Sequence, residues 1–231
     1  MTPENIIYTI SLIIAALFFA YFYWKDSTEE GYSPNKIFDS CFLMLLGGLI
    51  GGKLMFRPLS MDYFKYQFWS APLILEGVLM GGGIAIAIYV RRNGWDMWKI
   101  GDMLAAALSI FSAVIFTGFA IALPLADYII LSVVFYSLFG LIRYLRVRKQ
   151  YGSSKLYFEL KRYNKILFTG MLFFVYLTVS SMVAILFLAK NFNFSSHFWK
   201  LQVLFYLLIL VVSFFLFIKK RRKSKTLENG R

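Results

Sequence analysis

Charged side chains are scarce in the apolar stretches of this sequence, and the few that occur there are the first candidates for chemistry. Lys53 lies near the end of a glycine-rich apolar run, and Glu76 lies about five residues inside the next one. A charge at the centre of a bilayer costs on the order of 3 kcal/mol, and less near its edge. Each of these two therefore needs a counter-charge or a task. If the two runs are antiparallel neighbours, the charges lie at similar depth, and a Lys53–Glu76 ion pair is expected. Tyr176 sits in the middle of another apolar run, where its hydroxyl must find a partner. A structural hydrogen bond and a role in catalysis are both open to it.

Other polar residues carry plainer expectations. Asp102 and Asp127 stand where helices are expected to start, and a carboxylate there complements the helix dipole. Cys41 is the one cysteine, so no internal disulfide can form, and in an apolar run its thiol is inert. His197 is the one histidine, placed in a short polar loop. There is no CxxC or Cys/His spacing, no HExxH, no GxSxG and no phosphate loop. Neither a metal site nor a cofactor is expected.

The elements that position these residues follow from composition. The chain has 231 residues, 59% hydrophobic and only 16% charged, against about 25% charged in an ordinary soluble domain. Lipid is the implied solvent. Crossing a hydrocarbon core of about 30 Å takes about 20 apolar residues in a helix, and seven runs qualify. They are Ile6–Trp24, Ile37–Phe56, Ala71–Val90, Met103–Ala122, Pro124–Ile142, Ile166–Ala189 and Leu201–Ile218. Helices satisfy every backbone polar group within such a slab. The fourth and fifth are so close in sequence that they form a tight hairpin. The fold expected is all-α, a polytopic membrane protein of about seven transmembrane helices in a single domain over residues 1–231. The N-terminal run lacks a basic leader and reads as a retained helix.

Net charge is +13. The basic residues sit in blocks between the apolar runs, so topology rather than nucleic acid explains them. With the N-terminus outside, twenty lysines and arginines fall on the inner side and five on the outer, which is a strong positive-inside bias. Two inner segments are strongly basic, 143–165 and 219–231, and both are expected to attract anionic headgroups at the inner surface. Tyr21, Tyr23 and Trp24 end the first run, and Trp95 and Trp98 precede the fourth, as an interfacial belt would require.

Glycine marks two of the helices. The second carries Gly47, Gly48, Gly51 and Gly52, and the third carries Gly77, Gly81, Gly82 and Gly83. Glycines at i, i+4 make a smooth stripe along which helix backbones can approach. Each glycine costs up to about 1 kcal/mol of helix propensity, so the stripe implies a compensating contact. Helix packing alone would supply it; so would close-set backbones framing a lipid-binding cleft.

These stretches resemble a known family. Gly47-Gly-Leu-Ile-Gly-Gly-Lys53-Leu is similar to the second-helix motif of the bacterial prolipoprotein diacylglyceryl transferases, which usually have arginine at the Lys53 position. Glu76-Gly-Val-Leu-Met-Gly-Gly-Gly, followed by Arg91-Arg92-Asn-Gly94, resembles that family's His-Gly-Gly-Leu-Ile-Gly-Gly run and its Arg-Arg-x-Gly. Asp102-Met-Leu-Ala-Ala-Ala-Leu108 resembles its Asp-Leu-x-Ala-Pro-Ala-Leu. The resemblance is clearest from Lys36 to Gly118. It implies a bacterial plasma-membrane protein that moves a diacylglyceryl group from phosphatidylglycerol to the thiol of a lipobox cysteine in a prolipoprotein, at an outer-leaflet site. Under that reading Glu76, Lys53 and Tyr176 are the catalytic candidates, and Arg57, Gly77, Gly81 and Gly118 would line the lipid site.

The departures from the family pattern bear on activity. The family histidine falls on Glu76. The signature Gly-Arg-Ile-Gly-Asn-Phe-Ile-Asn-Gly falls on Ile115–Leu123, which places its arginine at Phe116 and its first asparagine at Phe119. A Tyr-x3-Arg-x3-Glu row becomes Tyr176, Ser180 and Ala184. Phenylalanine cannot replace arginine's bidentate fork. The resemblance thus implies a divergent, catalytically impaired pseudoenzyme that binds phospholipid or a membrane partner. The alternative is an active transferase that uses Glu76 and Lys53 in new roles.

Overall fold

A computed structural model describes residues 3–55, 75–123, 125–151, 169–190 and 197–229. Among these, the regular elements are seven helices: α1 (Pro3–Glu29), α2 (Pro34–Leu54), α3 (Leu75–Arg92), α4 (Met97–Ala122), α5 (Ala126–Tyr151), α6 (Met171–Lys190) and α7 (His197–Asn229). Each falls on one of the seven apolar runs. Six of them, all but α3, are long and apolar enough to cross a membrane. The described part of α3 has 18 residues, with Glu76 in its first turn and Arg91 and Arg92 in its last. Residues 71–74 of the run expected there lie outside the described residues, as does Arg57. The chain is an all-α, polytopic membrane protein with six to seven long apolar helices.

Large apolar side chains face outward along these helices. Phe38 and Leu186 are both 71% exposed, and Leu17, Val211 and Phe215 are comparably open. In water such faces would be untenable; in lipid they are the ordinary solvated surface.

Several helices outrun their apolar stretches. α5 continues through Arg143 to Tyr151, so the start of the basic segment expected to lie along the inner surface is instead a continuation of the helix. Residues 152–168 lie outside the described residues. α7 likewise continues through Lys219 to Asn229. α4 starts at Met97 rather than Met103. Asp96 supplies the cap there: its Oδ1 accepts the Trp98 N–H at 2.9 Å, the usual bond of an N-cap aspartate. Asp102 is therefore more than a turn inside the helix, and the expectation that it stands at the helix start is corrected. Asp127 does lie in the first turn of α5, and it pairs with Lys190 at the end of α6. The α4–α5 connection is the tight hairpin expected, with α4 ending at Ala122 and α5 starting at Ala126.

The chain divides into two compact units, Trp24–Ile100 and Met1–Tyr23 with Gly101–Arg231. In the first, α2 and α3 form an antiparallel pair joined along their glycines. Ile37, Met44, Ile86, Val90 and Ile100 are buried. At one end of this unit, Trp95 packs on Tyr32 and Tyr89, with ring centroids 4.8 and 5.6 Å apart. That end is outside the apolar stretches, and burial together with the carboxylates of Asp96 and Glu30 pushes the Tyr32 hydroxyl pKa up.

The second unit has a core of Ala105, Ala106 and Ala113 from α4, Phe135, Leu138 and Ile142 from α5, and Leu172 and Tyr176 from α6. Alanines on α4 let its neighbours come close, and the larger side chains of α5 and α6 fill the space. Thr117 Oγ1 and Ser132 Oγ are 2.7 Å apart and join α4 to α5. Tyr23 is fully buried, whereas Tyr21 is half exposed.

Candidate functional site

The glycine stripe sets the register of α2 against α3. A Cβ added to Gly47 would lie 2.6 Å from the Gly81 carbonyl oxygen, and one added to Gly51 would lie 2.8 Å from the Gly81 Cα. A Cβ on Gly77 would lie 2.8 Å from the Gly52 Cα. Distances this short leave no room for a side chain, so these positions are glycine because two backbones touch. Gly77 and Gly81, expected to line a lipid site, form part of this helix contact.

The same register places the two charged residues. Lys53 follows Gly52, Glu76 precedes Gly77, and Gly52 and Gly77 meet. Lys53 and Glu76 thus lie beside one of the close contacts of the pair, at one level, as the antiparallel reading expected. Both are buried, at 9% and 5% exposure. The neighbouring side chains of those turns, Leu49, Ile50, Leu54, Val78, Leu79 and Met80, are all apolar. The structure brings Lys53, Glu76, Gly77 and Gly81 together in one helix pair. Both charges are buried at this level of the pair, and each has an interaction partner.

Tyr176 and Gly118 belong to the other unit. Tyr176 is buried in its core, with its hydroxyl 3.5 Å from Ser112 Oγ of α4. This contact gives the hydroxyl the partner that a polar group inside an apolar run requires. Gly118 faces α1, and a Cβ there would collide with the Ser11 side chain. Next to it, Phe116 stacks on Phe135 with centroids 5.5 Å apart. Phe119 packs against Tyr8 at 4.9 Å and Tyr128 at 5.4 Å. Ser180 turns back on its own helix and donates to the Leu177 carbonyl at 3.1 Å. This part of the unit is an aromatic interior, and none of these residues presents a cation.

Asp102 has a role that the sequence reading missed. Its Oδ2 accepts the Gly170 N–H at 2.7 Å, and its Oδ1 accepts the Leu172 and Phe173 N–H groups at 3.0 and 3.2 Å. A side chain of α4 thus caps the N-terminus of α6, satisfying donors that have no partner within the helix. Gly170 has φ +96°, a conformation in which glycine is at ease and other residues are not. Gly101 makes room for the contact, since a Cβ there would meet the Phe173 ring at 3.0 Å. The cap also holds α6 in the register that brings Tyr176 to Ser112. An aspartate beside an apolar run was a usable signal; what it capped was not readable, because the partner is 68 residues away. Among the described residues no cluster could hold a metal ion.

Several curated bacterial proteins are similar to parts of this chain. It is 23% identical over 107 residues to phosphatidylglycerol–prolipoprotein diacylglyceryl transferase 2 of Clostridium perfringens, a match covering 44% of this chain and 40% of that protein. It is 25% identical over 91 residues to the phosphatidylglycerol–prolipoprotein diacylglyceryl transferase of Clostridium tetani, covering 37% of this chain and 36% of the relative. It is 34% identical over 70 residues to the enzyme of that name from Acidiphilium cryptum, covering 29% and 25%. The matched stretches span two-fifths or less of the length of these relatives. No family model matches the chain, and no solved structure does. Recurring at low identity, the matches point to a distant relation with that transferase family.

Proposed function

We propose that the chain is a catalytically impaired, distant relative of the prolipoprotein diacylglyceryl transferases that binds phospholipid at the end of the α2–α3 pair where Lys53 and Glu76 lie. In this reading it lies in a bacterial plasma membrane with its N-terminus outside and its C-terminus in the cytoplasm. The outer end of α2 and the start of α3 then sit at the outer leaflet, where headgroups are. A lipobox prolipoprotein or another membrane protein would be a further partner.

The observation that carries this reading is the packing of Phe116 and Phe119. Where the resembling signature has arginine and asparagine, this chain has two rings seated against Phe135, Tyr8 and Tyr128. Transfer of a diacylglyceryl group leaves a phosphate behind, and stabilising that charge takes preorganised cations or N–H donors. Aromatic rings supply neither. Lys53 and Glu76 remain at a common level, which supports binding more than chemistry.

Quantifying phospholipid that stays with the detergent-purified protein tests the proposal. Near-stoichiometric lipid is expected, and Lys53→Gln should reduce it at least five-fold. A wild-type protein that retains no lipid, or a Lys53→Gln variant that retains as much, would overturn it.

The second reading is an active transferase. The recurring similarity to enzymes of that activity favours it, as does Tyr176 at the family's tyrosine position. In that case Glu76 would serve as the base for the thiol, with Lys53 on the phosphate.

A further inference from the structure

One face of α1 is committed to its own unit: Ala15 and Phe19 are buried, and Ser11 meets Gly118. On another face, among the described residues, Ile14, Leu17, Phe18 and Tyr21 line a hollow of about 270 Å³. All four are at least 40% exposed. They stand at i, i+3, i+4 and i+7, the corners of a diamond on the helix surface. Four residues so placed form the hole of knobs-into-holes packing. The hollow is larger than the ~150 Å³ cavity that takes up a benzene, so a leucine side chain fits it. Its ring walls are braced. Phe18 stacks on Phe22 with centroids 6.4 Å apart, Tyr21 meets Phe22 edge-on at 5.2 Å, and Phe22 packs on Phe139 of α5 at 4.9 Å. The hole is thus preformed, and filling it orders little that is not already ordered.

We propose that α1 pairs with α1 of a second copy of this chain, side by side and parallel, with Leu17 of each copy seated in the hole of the other. Copies inserted alike are related by a two-fold axis along the membrane normal, so the helices run parallel and both present the same patch. Ile7, Ile10, Ile14, Leu17, Tyr21 and Trp24 follow one another at intervals of three and four, the seam of a left-handed helix pair. In that seam the hole bounded by Ile14, Leu17, Phe18 and Tyr21 faces the Leu17 level of the other helix, so knob and hole belong to one self-complementary face. No charge lies between Ile6 and Trp24, so the copies do not repel there. The four hole residues with Ile10, Ile13 and Trp24 are each about half exposed. At about 150–250 Å² for a large side chain in full, they offer on the order of 600 Å² a copy and about 1,200 Å² a pair, the size of a specific interface. Area alone does not choose a protein partner in lipid, because acyl tails solvate apolar side chains as well as a helix does. Leu204, Leu208, Val211 and Phe215 of α7 have the same spacing and are also exposed. The case for α1 is fit: a flexible tail leaves part of a side-chain-shaped hole unfilled and forfeits dispersion contacts that a fixed leucine makes.

The test counts copies of the full chain, carrying a fluorescent protein after Arg231, by single-molecule photobleaching in vesicles over a series of lipid dilutions. Dimers are expected. Leu17→Ala should weaken their association about ten-fold, equivalent to about 1.4 kcal/mol. Leu17→Met keeps the volume of the knob and should keep the dimer. Neither should move the thermal midpoint of the monomer, since Leu17 faces outward. Disulfide trapping locates the contact: with Cys41→Ser removing the native thiol, Leu17→Cys should cross-link on mild oxidation at least five-fold more than Val211→Cys, a comparably exposed site on α7. Photobleaching needs no cysteine substitution, so it decides the matter if Cys41→Ser fails to fold. Single copies at every dilution overturn the pairing, whether the hole then holds an acyl chain or a different protein. Dimers that persist unchanged in Leu17→Ala, or equal trapping at Leu17 and Val211, overturn it as well.

Discussion

Removing the Asp102 carboxylate would leave three N–H groups at the start of α6 without their acceptor. Leaving a buried donor unsatisfied costs about 1–3 kcal/mol, so Asp102→Ala should destabilise the protein by at least about 2 kcal/mol. The drop would appear as a lower thermal midpoint in detergent. Asp102→Asn keeps one carbonyl acceptor and should cost less. Tyr176→Phe gives up one long hydrogen bond, and polar contacts between membrane helices average about 0.6 kcal/mol, so it should change stability by under about 1 kcal/mol. If Tyr176→Phe proved as damaging as Asp102→Ala, the structural role given to Tyr176 would be wrong. At this scale the sequence told which side chains needed partners, because a polar group inside an apolar run has few alternatives. It did not tell the partners, because Asp102 finds Gly170 and Tyr176 finds Ser112 only through the folded register.

Helix α3 presents two kinds of glycine, and they should respond oppositely to alanine. At Gly81 a Cβ would strike the Gly47 carbonyl oxygen, so Gly81→Ala should separate α2 from α3 and lower the yield of folded protein. At Gly83 a Cβ would meet nothing within 4 Å. There, alanine should be neutral, or should stabilise by up to about 1 kcal/mol through helix propensity. Equal thermal midpoints for the two variants would contradict the register of the pair. The α2–α3 contact was legible in advance, since small residues at i, i+4 on two adjacent helices have one economical use. Helix ends were less so. Apolar runs mark where a helix meets lipid, but backbone hydrogen bonding continues past that edge, and so α5 reaches Tyr151 and α7 reaches Asn229. Asp96 rather than Asp102 begins α4 because a cap is set by local backbone geometry, and two aspartates six residues apart look equally suitable.

For the whole molecule, the choice of solvent was the most legible feature. Low charge and seven apolar runs implied lipid, and the outward Phe38, Leu186 and Val211 are what lipid permits. The proposed orientation, N-terminus outside, puts twenty basic residues on the inner side and five on the outer. Alkaline phosphatase, active only outside the cytoplasm, should be inactive when fused after Arg231 and active when fused after Lys190; the reverse pattern would invert the topology. Activity was harder to read, because it depends on which polar groups converge. The resemblance runs through the glycines and Asp102, which hold helices together, and lapses at Phe116, Phe119 and Ser180. A framework can persist after its chemistry is lost, since the packing of Gly47 on Gly81 does not depend on arginine elsewhere. The most direct test is transfer itself: the chain in vesicles of phosphatidylglycerol, given a lipobox peptide, with thioether-linked product measured by mass spectrometry. The account predicts no more product than vesicles without protein yield; product that disappears in Glu76→Ala would contradict it.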